Sequence, residues 1–291
     1  MKFLTKRLTL LMALALLIPV LAACTGDDEN QQVTIGWIPW DEDIAVTYLW
    51  ANLLEEEGYD VELELLDAGQ VFLGLSEGDV DVFLDTWLPG THANYWDEFG
   101  DDLEDLGVWY DNALLAYAVP EYVEVQSIPE LAENAEMFDE QIIGIEPGAG
   151  MMGIAAETVN PGYGLDNMEL VESSTPAMLA ELEGAVAQEE PIVVTMWQPH
   201  WAYNAYDLRN LEDPDNLWGD PEQIHVVGRD GFTEDFPDLA EWFGNFQMDD
   251  GPLFELEAMI IEAGSGNEAD AVEEWLENDE NRELAESWIT N

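Results

Sequence analysis

The chain has 291 residues, with 65 acidic against 6 basic side chains and a net charge of −59, yet 47% of its residues are hydrophobic and 11% aromatic. A surface of that sign excludes capture of nucleic acid or an anionic membrane by charge, because both are negative. The 12 tryptophans exclude the apolar-poor regime in which acidic chains stay disordered.

Half of the basic charge, Lys2, Lys6 and Arg7, lies at the N-terminus; downstream only Arg209, Arg229 and Arg282 remain, with no lysine. This is the composition of an acidic shell adapted to brine, where the Debye length falls to about 3 Å near 1 M salt. Residues 1–23 read as a signal peptide: a basic start, an apolar run over 8–21, then Leu21-Ala22-Ala23-Cys24. Small residues before the single cysteine resemble a bacterial lipoprotein cleavage site, with Cys24 as the lipidated first residue. One cysteine allows no intramolecular disulfide. Residues 24–32 form a polar tether, and no later stretch is apolar for the 18 or more residues that a span requires. The expected location is outside the cytoplasmic membrane, in a periplasm or on the cell surface, held by lipid.

Strand and helix patterns then alternate. Residues 33–37 read as a strand. Val46, Leu49, Trp50, Leu53 and Leu54 recur at helical spacing, with Asp41 or Asp43 able to cap the start and Gly58 after the end. Further strands are expected over 61–67, 80–84, 113–120, 142–145, 191–195 and 224–229, a short helix over 70–76, and acidic helices from Pro237 onward. This order implies an α/β fold with mostly parallel sheets. The length and a break near 122–129 suggest two lobes: 33–118 as lobe I, 119–223 as lobe II, and 224–291 as a return strand and C-terminal helices, mainly in lobe I. The strands 113–120 and 224–229 are the expected crossings between lobes.

Ligands of open α/β sheets bind beyond the carboxyl ends of strands. Trp40, Trp87 and Trp197 each follow a predicted strand on what reads as a loop, whereas Trp37, Trp50, Trp242, Trp275 and Trp288 read as core. Three indoles at strand ends suit a quaternary ammonium, which has no N–H for a carboxylate to accept. The fourth strand end carries Gly148-Ala149-Gly150-Met151-Met152-Gly153 at a helix start. The N–H groups of Gly150 and Met151 form an anion site there, and His92 can donate one further hydrogen bond. His200 and His225 read as surface histidines, and nothing local places Arg209 or Arg229 at a strand end. A cationic cage beside an anion nest describes a zwitterion pocket. The same glycine spacing fits a dinucleotide loop, with Glu169 and Glu172 about 20 residues on as ribose partners, so an exported dehydrogenase stays open as an alternative. No His/Cys cluster has metal-ligand spacing, and carboxylates are too numerous for any pair of them to signify.

The segments GWIPWDEDIAVTYLW, LLDAGQVFLGLSEGDVDVFLDTWLPGTHANYW, GVWYDNALLAYAVPEYV, IIGIEPGAGMM, ESSTPAMLAEL and PIVVTMWQPHWAY resemble the glycine-betaine-binding proteins of ABC-type osmoprotectant importers, from about Val33 to the C-terminus. The resemblance implies a two-lobed periplasmic-binding-protein fold, type II-like, with the ligand cleft between the lobes. It implies a trimethylammonium cage of Trp40, Trp87 and Trp197, and carboxylate contacts from the amides of Gly150 and Met151 and from His92. It also implies glycine betaine, with proline betaine as a second ligand, delivered to a permease driven by a separate ATPase. The binding protein itself would be a monomer that catalyses no reaction and holds no cofactor or metal. A choline binder is the nearest alternative.

Overall fold

The computed structural model describes residues 32–289. The expected signal peptide, Cys24 and all of the tether before Gln32 lie outside the described residues. Among the described residues nine strands form one hydrogen-bonded sheet: β1 Gln32–Trp37, β2 Asp60–Leu65, β3 Val82–Leu88, β4 Leu103–Pro120, β5 Gln141–Ile143, β6 Glu169–Val171, β7 Val194–Gln198, β8 Leu208–Asn210 and β9 Glu222–Arg229. The order is β2-β1-β3-β9-β4-β7-β5-β6, with β8 on β4.

The 18-residue β4 makes the path continuous. Leu103 to Ala113 pair with β9, Leu114 to Ala118 with β7, and Ala118 to Pro120 with β8. It therefore belongs to two half-sheets in turn: β2, β1, β3 and β9 on one side, β7, β5, β6 and β8 on the other. The expected strand 113–120 is only its second half. β9 pairs with β3 and β4 alone, within the first half-sheet, so it is not a second crossing; the chain returns through the segment before Glu222. The sheets are also less parallel than expected. Pairings of β1 with β2 and β3, and of β5 with β6 and β7, are parallel, while every pairing of β4 and β9 is antiparallel.

The helix Asp41–Glu56 buries Val46, Leu49, Trp50, Leu53 and Leu54, the periodic set in the sequence. Trp40, rather than Asp41 or Asp43, holds its N-cap. The three acids fill the first turn instead. Asp43 still closes the start, accepting Ile38 N–H at 2.7 Å and Thr47 Oγ1–H at 3.0 Å. In the helix Ala68–Glu77, Asp67 and Gln70 form a capping box, and Gly78 ends it at φ 77°.

After β9 the helices Pro237–Asn245, Asp250–Ala263, Glu268–Leu276 and Asp279–Trp288 pack against the helix Asp41–Glu56 and the first half of β4. Trp50 lies 4.6 Å from Phe243, 5.3 Å from Phe246 and 6.0 Å from Trp288, ring centre to ring centre. Trp50, Trp242, Trp275 and Trp288 are thus core, as read from sequence. Trp37 is only half-buried, edge-on to Tyr48. No helix among the described residues is long and apolar enough to cross a membrane.

Candidate functional site

Two strands run further than the sequence suggested, and both carry a tryptophan. β3 extends through Asp85, Thr86 and Trp87, and β7 through Met196 and Trp197. Thr and Trp favour strands, and the buried Asp85 is held by a side-chain bond. Trp87 and Trp197 therefore stand on sheet backbone, in register with Ile224 and Leu115 respectively. Trp40 stands at the helix N-cap beyond β1.

One cavity is lined by all three indoles, by His92, and by Gly150 and Met151. Glu42, Thr91 and Leu115 also face it. Trp40, Trp87 and Trp197 are each almost wholly buried. Trp40 stacks on the His92 ring at 5.8 Å and 15°.

His92 has one defined tautomer. Its Nδ1 accepts Trp87 N–H at 2.9 Å, so the ring proton sits on Nε2, a buried donor with no partner among the described residues. Burial lowers the imidazole pKa to about 3, so the ring is neutral at ordinary pH. A neutral ring that lines a cavity with an unspent N–H is a hydrogen-bond donor for whatever enters.

The glycine loop meets the end of the β3 segment closely. A Cβ on Gly150 would stand 1.9 Å from the Thr91 carbonyl oxygen, whereas Gly148 and Gly153 have open space at that position. Of the three glycines in the G-x-G-x-x-G spacing, only Gly150 is required sterically, and Gly153 makes no helix–strand contact of the kind that a dinucleotide loop uses. Gly150 opens the helix Gly150–Ile154, so the N–H groups of Gly150 and Met151 have no intrahelical acceptor. Two carboxylates brace the walls. Glu222 accepts Gly90 N–H at 2.8 Å, Thr91 N–H at 2.9 Å and Thr91 Oγ1–H at 2.7 Å. Glu146 accepts Thr175 N–H at 2.8 Å and Oγ1–H at 3.0 Å.

Behind the indoles lie carboxyls that the sequence did not single out. Trp197 Nε1–H donates to Glu42 at 2.8 Å, Trp87 Nε1–H to Asp85 at 3.0 Å, and Trp201 Nε1–H to Asp41 at 2.9 Å. Glu42, Asp43, Asp85 and Glu257 are all at most 1% exposed. Burial, with the neighbouring Asp85 and Glu257, pushes Glu42 well above the usual carboxylate range. Burial, with Asp85, does the same to Asp43, and burial with Asp41 to Glu257. Burial raises Asp85 to about 7, against the bond from Trp87.

Each of these groups holds its proton more tightly when folded than when unfolded. Its contribution is therefore full below the unfolded carboxylate pKa of about 4 and is lost as pH rises through the folded value. The ligand-free protein at constant high salt is expected to melt at a lower temperature at pH 8 than at pH 5. Thermal melts across that range check this, and Asp85→Asn is expected to shrink the difference; a flat or rising profile would contradict the assignment.

His200 and His225 are not surface residues. His200 is fully buried, 3.2 Å from Asp41, and accepts Ala202 N–H through Nδ1. His225 is 8% exposed and bonds Asp105 at 3.0 Å. Arg209 donates to the Val123 and Val125 carbonyls, and Arg229 pairs with Asp81 and Asp235, away from the cavity.

The model of the family described as the substrate binding domain of ABC-type glycine betaine transport systems matches residues 31–278. The chain is 36% identical over 146 residues to the glycine betaine/carnitine transport binding protein GbuC of Listeria monocytogenes; the match spans 49% of this chain and 47%, about half, of that protein. Among solved structures, it is similar to lactococcal OpuAC, closed and complexed with glycine betaine, at a TM-score of 0.82 and 29% identity over 89% of this chain and 100% of that one. It is likewise similar to the glycine/betaine/L-proline-binding protein ProX of Borrelia burgdorferi, at 0.84 and 30% over 90% and 97%. The fold is therefore of the periplasmic-binding-protein type that the sequence implied. With the family match covering most of its length, the chain belongs to the substrate-binding domains of ABC-type glycine betaine transport systems.

Proposed function

We propose that this protein captures glycine betaine in the cavity between Trp40, Trp87 and Trp197 and delivers it to an ABC importer. The observation that carries the reading is the convergence of three indoles and one unspent His92 Nε2–H on a single small cavity. The trimethylammonium has no hydrogen to donate, so aromatic faces are its natural partners, and each desolvated contact contributes about 0.5–2 kcal/mol. Three give about 2–6, short of the roughly 8 kcal/mol of micromolar binding. The carboxylate supplies the rest, through the amides of Gly150 and Met151 and the Nε2–H of His92. Hydrogen bonds to a charged group contribute about 1.5–3 kcal/mol each.

Residues 33–118 and 119–223 are the two lobes in this reading, with 224–291 returning to the first. The Thr91–Gly150 approach, the bond from Tyr95 Oη–H to the Gly148 carbonyl at 2.8 Å and the Trp201–Asp41 bond would then be contacts of the closed form, made by a hinge motion. Closure excludes water and strengthens both halves of the site. The protein binds and releases without a chemical step. Lipid on Cys24 would hold it beside the permease, and the acidic shell would keep it folded and soluble in salt.

Choline shares the ammonium head but lacks the carboxylate, so it would leave His92 Nε2 and the two amides idle. Calorimetric titration with glycine betaine, choline and 3,3-dimethylbutanoate, the uncharged-head isostere of betaine, tests the reading. Betaine is expected to bind most tightly, and the isostere not measurably. His92→Ala is expected to reduce the betaine-to-choline affinity ratio about tenfold, because any general loosening of the cage affects both ligands alike. An unchanged ratio would remove His92 from the carboxylate site, and equal binding of the isostere would remove the cage.

A further inference from the structure

Glu42 is the one carboxyl on the cavity wall. It is 1% exposed, and its Oε2 accepts Trp197 Nε1–H at 2.8 Å. The groups that act on it by charge are acidic, Asp85 from β3 and Glu257 from the helix Asp250–Ala263, while Asp41 and Asp43 flank it in its own first turn. The nearest basic groups are His92, neutral across the cavity, and His200, which sits against Asp41. Among the described residues, every arginine ion pair lies elsewhere, on Glu121, Asp81, Asp235 or Glu56. A buried carboxyl with acidic neighbours and no basic partner stays near neutrality in the empty cavity by carrying a proton. A permanent cation brought into the same cavity reverses that preference, because an opposite charge within a few ångströms favours the ionised form.

Resting on the quaternary-ammonium reading of the cavity, we propose that Glu42 is the counter-ion of the cage and exchanges its proton for the ligand's charge. The Glu42 O–H bond breaks heterolytically, the electron pair stays on the carboxylate beside the ammonium, and the proton leaves to the buffer. With choline the cavity loses one positive charge as it gains another; glycine betaine brings its own carboxylate, held by the amides of Gly150 and Met151 and by His92, so with it the exchange balances charge at the ammonium end alone. Trp197 takes part in the exchange: its ring faces the ligand, while its Nε1–H holds the oxygen that becomes charged. By linkage, a step that releases a proton tightens as pH rises, up to the pKa of Glu42 in the empty protein, and is independent of pH above it. Burial and acidic neighbours place that limit well above the usual carboxylate range.

The test is calorimetry of the full chain at pH 8, in buffers of different ionisation enthalpy, with glycine betaine and with choline. Neither ligand titrates there, and Asp85, at about 7, is already largely ionised. The slope of observed heat against buffer ionisation enthalpy counts protons. Proton release is expected with both compounds, larger with choline, which brings no carboxylate of its own, and none for Glu42→Gln, whose amide oxygen still accepts Trp197 Nε1–H. In Asp85→Asn, which removes the other carboxyl titrating in this window, affinity is still expected to rise at least about tenfold from pH 6 to pH 8, which keeps the test decisive if Glu42→Gln fails to fold. Binding heat that does not depend on the buffer, affinity flat with pH, or equal proton release by Glu42→Gln would overturn the exchange while leaving the cage intact. No binding heat with either ammonium compound would overturn the cage and the exchange together.

Discussion

Trp87→Ala is expected to weaken glycine betaine binding about a hundredfold. The variant loses one π face in a water-excluded cavity, a contact worth about 2 kcal/mol when desolvated. It also loses apolar contact with the methyl groups at about 25 cal/mol per Å². The carboxyl of Asp85 loses its indole donor as well, which raises the cost of ionising it behind the site. A total near 3 kcal/mol corresponds to roughly a hundredfold. Trp87→Phe keeps a face and loses the N–H, so it is expected to fall between the two. Calorimetric titration checks both variants, with near-unchanged circular dichroism as the control for folding. Affinity for Trp87→Ala within threefold of the parent would exclude this ring from the cage.

The second large effect is expected at Gly150. An alanine methyl there would meet the Thr91 carbonyl oxygen at 1.9 Å, and contacts below 3.0 Å do not occur, so one partner must retreat by about 1 Å. Thr91 is poorly placed to move, because Glu222 holds its N–H and hydroxyl together with Gly90 N–H. The helix start must therefore back away, and it takes with it the two amides that meet the carboxylate. Losing or lengthening two hydrogen bonds to a charged group, at about 1.5–3 kcal/mol each, predicts a betaine affinity reduced more than a hundredfold. The contact joins the ends of two elements rather than the centre of either half-sheet. The melting temperature is therefore expected to stay within a few degrees of the parent, and differential scanning calorimetry beside the titration separates the two effects. Normal binding would mean that the Thr91–Gly150 approach is not part of the liganded form.

The alternation of strand and helix was legible because apolar periodicity survives an acidic surface: every carboxylate added to the outer face sharpens the contrast with the buried one. Strand ends were less legible. Asp85 and Thr86 look like the polar start of a loop, yet both are fully buried in β3, because the carboxyl finds a donor in Trp87 two residues along the same strand. The length of β4 was hidden for a related reason. Leu103 to Asn112 carry no clean alternation, and β4 there accommodates three register irregularities against β9.

The three indoles and the glycine loop stood out because tryptophan and glycine are scarce and each has a distinct physical use. Glu42 and Asp85 did not, in a chain with 65 acidic residues. Only burial separates these two from the solvated carboxylates. The signal that could have found them is adjacency: each lies within two residues of a cage tryptophan, in Trp40-Asp41-Glu42 and in Asp85-Thr86-Trp87. His200 was missed likewise, since a lone histidine in sequence gives no hint of Asp41, which lies far away along the chain.

The central claim is that one cavity divides a zwitterion between aromatic faces and hydrogen-bond donors. Crystals grown with glycine betaine test it most directly. The account predicts the ammonium nitrogen within about 6 Å of the ring centres of Trp40, Trp87 and Trp197, with the carboxylate on the amides of Gly150 and Met151 and on His92 Nε2. A ligand bound outside this cavity, or bound with its carboxylate toward the indoles, would contradict it.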